Sequence, residues 1–223
     1  MQPKLVIFDM DGTMLDTEPI SMKGWHDAAQ EMGFEVSMEE FRKVFMKMIG
    51  TNAVNCKAVM HGFFGDGFDM DRGHELCLAY MDRYFAEYGV PVKPGLVALL
   101  DKLDEQSIKK CVATSTGKER ATHKLTMAGL AHRFEVIVGG DCVERSKPNP
   151  DIFLKAAADC GIAPADCVVI EDSLAGTEGG FRAGMRVVHV PDLLPPSEEV
   201  RGMAWVVCSD LFEVADVFTN YPN

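Results

Sequence analysis

The chain has 223 residues, of which 47% are hydrophobic and 25% charged, a composition typical of a soluble globular protein. Its formal net charge of −12 argues against nucleic acid or an anionic membrane surface as a partner. The seven cysteines are odd in number and contain no C-x-x-C pair, and the sequence shows neither a leader-like start nor a long apolar run. We therefore expect a cytoplasmic protein with reduced thiols.

The first predicted element is a strand over residues 5–8, whose unbroken apolar run is typical of a strand buried on both faces. It ends at Asp9, and a second carboxylate, Asp11, follows two positions later. Parallel sheets hold their ligands at the carboxyl ends of their strands, so both acids are expected at such an edge. Two carboxylates this close repel each other unless a cation or a shared proton intervenes. The segment therefore predicts a divalent metal beside a reactive aspartate.

Residues 17–88 carry helical patterns and no convincing strand. Ser37 and Glu40 have the spacing of a capping box at the start of the second of four predicted helices. The third and fourth are predicted over residues 53–64 and 71–88. This segment is therefore expected to form an all-α cap domain.

From residue 89 to the end, predicted strands and helices alternate. The strands are predicted at residues 109–114, 135–139, 166–171, 186–190 and 204–208. Such alternation is typical of βαβ units and a parallel sheet. The predicted fold class is thus α/β: a doubly wound, Rossmann-like core from residues 1–16 and 89–223, with the cap of residues 17–88 inserted after its first strand.

Later polar residues also fall just past predicted strands. Ser115 and Thr116 open a helix, and the N–H groups of a helix N-terminus favour an anion. Lys147 follows another strand, and Glu171 and Asp172 end a third. Read singly, Ser115 favours a helix cap and Lys147 a solvated surface lysine. Their joint position at the edge that holds the first two carboxylates favours one catalytic site instead.

The segments DMDGT, ATST, SKPNPDIF and VIEDSLAG, in this order, resemble the four signature motifs of the haloacid dehalogenase-like hydrolase superfamily. The helical insert after the first motif resembles the cap of the β-phosphoglucomutase-like phosphatase branch. The resemblance covers nearly the whole chain. It implies a Mg²⁺-dependent phosphoric monoester hydrolase that acts on a small phosphorylated metabolite through an aspartyl-phosphate. It implies neither nucleic acid nor membrane as a partner, and we take a monomer as the default.

The resemblance also implies a role for each motif residue. Asp9 matches the nucleophile, Asp11 the general acid/base, and Ser115 and Lys147 the groups that hold the transferring phosphoryl. The implied metal ligands are Asp9, the backbone carbonyl of Asp11, Asp172 and, directly or through water, Glu171. The candidates on the substrate side are Thr13, Thr116 and Lys118. Lys118 is equally compatible with a contact to the distal part of the substrate and with a solvent-exposed position.

Two alternative functions stay open. Sugar phosphomutases with this cap usually carry a histidine in the first cap helix, where this chain has Ser21. They also carry an arginine just after the glycine turn of the cap, whereas Thr51, Asn52 and Ala53 follow Gly50 here. Both departures favour a phosphatase for sugar phosphates or nucleoside monophosphates. The other alternative, a regulatory module that binds phosphate without turnover, is disfavoured because every catalytic group is present.

Overall fold

The computed structural model describes residues 2–49 and 53–219 of the chain. The chain splits into two compact units. One consists of Met1–Asp16 together with Pro91–Asn223, and the other of Thr17–Val90. The arginine expected of the mutases would follow Gly50, at Thr51, Asn52 or Ala53. Residues 50–52 lie outside the described residues, so the structure does not test that part of the sequence argument.

The unit of Thr17–Val90 contains four helices joined by turns, and no strand in its described part. Its helices are α1 (Glu18–Glu31), α2 (Met38–Phe45), α3 (Ala53–Phe64) and α4 (Met70–Tyr88). The capping box is present: the Glu40 N–H donates to Ser37 Oγ at 3.2 Å, and the Ser37 N–H donates to Glu40 Oε2 at 3.1 Å. Phe41, Val44 and Phe45 then face inward and build an aromatic core with the neighbouring helices. Local capping and amphipathic spacing therefore account for this unit.

A six-stranded parallel sheet forms the centre of the other unit. Its strands are β1 (Leu5–Phe8), β2 (Lys109–Ala113), β3 (Val136–Val138), β4 (Cys167–Glu171), β5 (Arg186–His189) and β6 (Val206–Val207). They lie in the order β3-β2-β1-β4-β5-β6, and each pair is parallel. The chain reverses its direction of winding at β1, so β1 lies at the switch point where open α/β sheets bind ligands. The predicted α/β, doubly wound fold is confirmed.

Helices connect these strands and cover the sheet. They are α5 (Leu96–Glu105), α6 (Lys118–Met127), α7 (Asp151–Asp159), α8 (Leu174–Arg182), α9 (Glu198–Met203) and α10 (Leu211–Thr219). On α7, Ile152 and Phe153 pack with β-strand residues such as Val169 into one buried cluster. Burying an aromatic or aliphatic side chain of this size stabilises a fold by about 1.5–3 kcal/mol. This packing fixes the strand ends on which the polar residues stand.

The sequence patterns missed or overextended two elements near the C-terminus. Helix α9 was not predicted: it has only six residues, too few for periodicity to show. Its start is nevertheless capped, since Ser197 Oγ accepts the Val200 N–H at 3.2 Å. The last strand was predicted over residues 204–208, but β6 consists of Val206 and Val207 alone. None of the helices in the described parts of the chain is long and apolar enough to cross a membrane.

A partly buried ion pair joins the start of β2 to the end of α5. Lys110 is only 6% exposed and contacts Asp104 through its ammonium group. Arg133 donates to the same carboxylate, and to Asp101, at 2.7 Å each. The hydrogen bond from Lys110 lowers the pKa of Asp104, and Arg133 adds to this shift although burial opposes it. The ionised carboxylate therefore stabilises the fold above the unfolded-state pKa, and this contribution is lost as the pH falls through the folded-state pKa.

Replacing Asp104 by Asn is expected to lower the free energy of unfolding at pH 7 by about 1 kcal/mol, because solvent screens this half-exposed carboxylate. The difference from wild type should shrink as the pH falls through the lowered folded-state pKa of Asp104, because the wild-type carboxyl then takes up a proton. Urea unfolding at pH 7 and pH 3 measures the difference at each pH. Asp101→Asn, which touches the arginine but not the buried lysine, is the matched control and should have a smaller effect. A difference for Asp104→Asn that is the same at both pH values would contradict this explanation.

Candidate active site

Three neighbouring strands end in register at one edge of the sheet. Phe8 of β1 is paired with Val112 of β2 on one side and with Ile170 of β4 on the other. The residues that follow Phe8 and Ile170, Asp9 and Glu171, therefore emerge side by side. The Asp9 N–H continues the ladder by donating to the Ile170 carbonyl at 2.9 Å. Register alone thus brings two carboxylates from distant parts of the sequence to one place.

Lys147 lies between these two carboxylates. Its Nζ donates to Asp9 Oδ1 at 2.5 Å, to Glu171 Oε1 at 2.6 Å and to the Ala113 carbonyl at 3.2 Å. All three charged residues are buried, and the Lys147 Nζ also lies 5.0 Å from the centre of the Phe153 ring. The sequence prediction that Lys147 joins the acids at the sheet edge agrees with this position. A solvated surface role for Lys147 does not.

The protonation of this group follows from burial and charge. Burial raises the pKa of Asp9 to about 8; the nearby Lys147 ammonium opposes that shift, and the Glu171 charge adds to it. Burial alone would lower the pKa of Lys147, but the two carboxylates outweigh it and raise that pKa. Lys147 is therefore charged in this site. A further positive charge nearby would lower the pKa of Asp9 and so keep its carboxylate ionised.

Glu171 is held on both of its oxygens. Oε1 accepts from Lys147, while Oε2 accepts from the Asp172 N–H and the Ser173 N–H at 2.9 Å each and from Ser173 Oγ at 3.0 Å. The side chain lies so close to the first turn of α8 that a Cβ on Gly176 would stand 1.7 Å from Oε1. Because both oxygens already have protein donors, Glu171 is well placed to orient Lys147 and the loop that follows β4.

Asp172 meets the loop that follows β1. Thr13 Oγ1 donates to Asp172 Oδ1 at 2.9 Å. Gly12 has φ +87°, and a Cβ there would lie 2.5 Å from Asp172 Oδ2, so this approach requires glycine. The substrate-side candidate Thr13 is itself only 1% exposed, and its hydroxyl contacts this acid. Thr13 is thus placed to orient Asp172.

The side chains of Asp9, Glu171 and Asp172 can each offer an oxygen to one point, since these atoms all lie within 4.8 Å of one another. Three carboxylates beside a single ammonium group leave an excess of negative charge in a buried place. Hard oxygen donors of this kind suit Mg²⁺, which binds through one or two carboxylates and keeps several waters. The residues present therefore fit a divalent cation.

Asp11 turns toward α6. Its Oδ2 accepts a hydrogen bond from Thr116 Oγ1 at 2.8 Å, and its Oδ1 pairs with the ammonium group of Lys124. Lys124 is 4% exposed and was not among the residues singled out in the sequence. The signal that could have found it is its spacing, since Ala121, Lys124 and Leu125 form the buried face of α6. A lysine in an apolar helix position is unusual enough to mark a buried partner.

The remaining predicted residues lie at the start of α6. The side chains of Ser115 and Lys118 are exposed, so either one is accessible to a ligand. The Thr116 N–H donates to Thr114 Oγ1 at 3.1 Å, and the Lys118 N–H donates to Asp141 Oδ1 at 2.8 Å. These two amides therefore already have protein acceptors. The expected anion site at this helix start depends on the Ser115 side chain more than on those two N–H groups.

Comparison with known proteins identifies the class of protein that this fold and site define. The haloacid dehalogenase-like hydrolase family matches residues 6–190, which is most of the chain. A provisionally named β-phosphoglucomutase from Thermotoga maritima has a TM-score of 0.80 and 25% identity, with 100% of both chains covered. The chain belongs to the haloacid dehalogenase-like hydrolases, in their β-phosphoglucomutase-like branch, as its four motifs and its helical insert predicted.

Two relatives match most of this chain, and one of them is a named phosphatase. Hexitol phosphatase A of Escherichia coli is 34% identical over 85% of this chain and 84% of its own length. SUPPRESSOR OF QUENCHING 1, a chloroplastic protein of Arabidopsis thaliana, is 36% identical over 85% of this chain, which spans only 18% of that much longer protein. The prediction of a phosphoric monoester hydrolase is confirmed at the level of enzyme class.

Proposed function

We propose that this chain is a Mg²⁺-dependent phosphatase that hydrolyses small phosphomonoesters through an aspartyl-phosphate on Asp9. The observation that carries the proposal is the buried group in which Lys147 joins Asp9 to Glu171, with Asp172 beside them. A nucleophilic carboxylate next to a fixed ammonium group and a cation site suits attack on an anionic phosphoryl group.

The reaction follows in two displacements. An Asp9 carboxylate oxygen forms a bond to phosphorus while the bond from phosphorus to the ester oxygen breaks. Asp11, in its acid form, gives its proton to that leaving oxygen. A water then loses a proton to the Asp11 carboxylate and attacks phosphorus, which breaks the bond to Asp9 and releases inorganic phosphate.

The other groups hold the phosphoryl. Lys147 neutralises charge on the phosphoryl oxygens, and the exposed hydroxyl of Ser115 donates to them. Asp9, Asp172 and the backbone carbonyl of Asp11 would hold Mg²⁺, and Glu171 would support the ion through water. When bound, Mg²⁺ supplies charge neutralisation for the phosphoryl group and keeps the carboxylates ionised.

The substrate class rests on the relatives. The name of hexitol phosphatase A indicates that this relative acts on a sugar alcohol phosphate. We therefore propose a sugar phosphate, rather than a nucleoside monophosphate, as the substrate of this chain. A sugar phosphomutase is the second candidate, favoured by the structural match to the provisionally named β-phosphoglucomutase. We propose a cytoplasmic monomer that needs neither nucleic acid nor membrane, and whose helical unit selects the substrate.

Phosphate release from a panel of sugar phosphates and nucleoside monophosphates tests this function. We expect release with Mg²⁺, and a loss of at least about 100-fold with a chelator, because a catalytic metal supplies several kcal/mol. Adding Mg²⁺ back should restore the rate. Release that continues unchanged in the chelator would overturn the metal requirement. The mutase would be favoured if no phosphate is released and, with a bisphosphate primer present, the phosphate instead moves between positions of a hexose.

A further inference from the structure

Lys124 occupies a place where stability alone would favour an apolar side chain. It lies on the buried face of α6 between Ala121 and Leu125, and it is only 4% exposed. Transfer of an ammonium group from water to such a place is unfavourable unless a charge is close by. The ion-pair partner found within the described residues is Asp11.

Buried ion pairs are weak evidence for stability. Replacing such a pair with well-packed apolar residues is often neutral or stabilising. Packing therefore does not explain a lysine at this position of α6. Its partner explains it better, because Asp11 is the residue to which the proposed function assigns acid/base work.

The Asp11 carboxylate is gripped at both oxygens. Lys124 pairs with Oδ1, and Thr116 Oγ1 donates to Oδ2 at 2.8 Å. Two donors on different oxygens fix the plane of a carboxylate as well as its position. Both donors belong to the segment of residues 114–127, which also carries the phosphoryl-binding candidate Ser115. The same segment can thus set the distance from the acid to the leaving oxygen.

We propose that Lys124 is a positioning residue, which acts through Asp11 and aims its carboxyl group at the leaving-group oxygen with the help of Thr116. This inference rests on the proposed phosphatase function and adds a residue to it. Lys124 itself does not touch the substrate. Its effect is therefore confined to steps in which Asp11 moves a proton.

The experiment compares kcat/KM for two esters in wild type and Lys124→Met. The leaving group of a hexitol phosphate is a poor one and needs a proton. The leaving group of p-nitrophenyl phosphate is p-nitrophenolate, which departs without a proton. We expect kcat/KM to fall about 10- to 100-fold on the hexitol phosphate, the range of a weakened general acid. On p-nitrophenyl phosphate it should fall less than about threefold, because kcat/KM there reports phosphoryl transfer to Asp9 without acid assistance.

A double-mutant cycle then tests whether Lys124 acts through Asp11. In an Asp11→Asn background, Lys124→Met should change kcat/KM for the hexitol phosphate by less than about threefold, since residues that act as one unit are not additive. Lys155→Met, on the exposed side of α7, is the matched control and should match wild type. Because Lys124→Met leaves the Asp11 carboxylate without its ion-pair partner, some loss of stability is expected, and thermal melting checks that the variant is folded at the assay temperature.

Lys124→Gln keeps a donor without the charge and covers the case in which Lys124→Met fails to fold. It should show an intermediate loss with the same dependence on the leaving group. Equal losses on both esters, or a full loss that persists with Asp11→Asn, would overturn the inference and leave the phosphatase standing. A wild-type protein that hydrolyses neither ester would overturn the proposed function, and this inference with it.

Discussion

Replacing Asp9 by Asn is expected to remove phosphate release by at least about 10⁴-fold, the scale on which loss of a covalent nucleophile acts. An amide oxygen is a far weaker nucleophile than a carboxylate, and the acyl phosphate cannot form on it. The variant should still fold. Lys147 remains paired with Glu171 at 2.6 Å, so the substitution leaves no buried charge without a partner.

Trapping of the intermediate gives the most direct measurement. Wild type mixed with a labelled phosphoryl substrate and quenched in acid should carry label on Asp9, and Asp9→Asn should carry none. Asp159→Asn, the same change on an exposed residue of α7, should label as wild type does. Label that survives on Asp9→Asn would place the nucleophile elsewhere. Thermal melting of all three proteins checks that any loss is chemical.

The strands could be predicted because their sequence signal is local. The run of residues 5–8 is apolar at every position and proves to be buried at every position. The alternation of strands and helices predicted a doubly wound parallel sheet, whereas the order of the strands and the place of the reversal at β1 come from the structure. The short elements near the C-terminus lacked such a signal, since β6 has two residues and α9 has six.

The site shows a different limit. Motif spacing brings Asp9, Lys147, Glu171 and Asp172 to one edge, because parallel strands end together. It does not reveal which oxygen each donor uses, and that detail suggests an orienting role for Glu171 as well as a ligand role. The ion pair of Lys124 with Asp11 spans 113 positions of sequence. This ion pair therefore depends on tertiary packing, which the sequence pattern of α6 does not reveal.

Lys147→Met should lower both activity and stability, more than any other single lysine change that we propose. The ammonium group lies between two buried carboxylates, at 2.5 Å from Asp9 and 2.6 Å from Glu171. Without it, these acids face each other without compensation, and removing one partner from a buried ionic group destabilises a protein by about 3–5 kcal/mol. The transferring phosphoryl also loses a fixed positive charge, which should lower kcat by about 10²–10³-fold.

Magnesium provides the sharpest readout of this variant. A divalent cation held by Asp9 and Asp172 would replace part of the missing positive charge. We therefore expect Mg²⁺ to raise the melting temperature of Lys147→Met by more than it raises that of wild type, and a chelator to abolish the gain. Lys155→Met, paired with an exposed acid on α7, should respond to Mg²⁺ as wild type does. If Lys147→Met and wild type have the same melting temperature in the chelator, the buried carboxylates do not need Lys147 for the stability of the fold. If Mg²⁺ stabilises both proteins equally, the cation and the ammonium group do not share one cluster of charge.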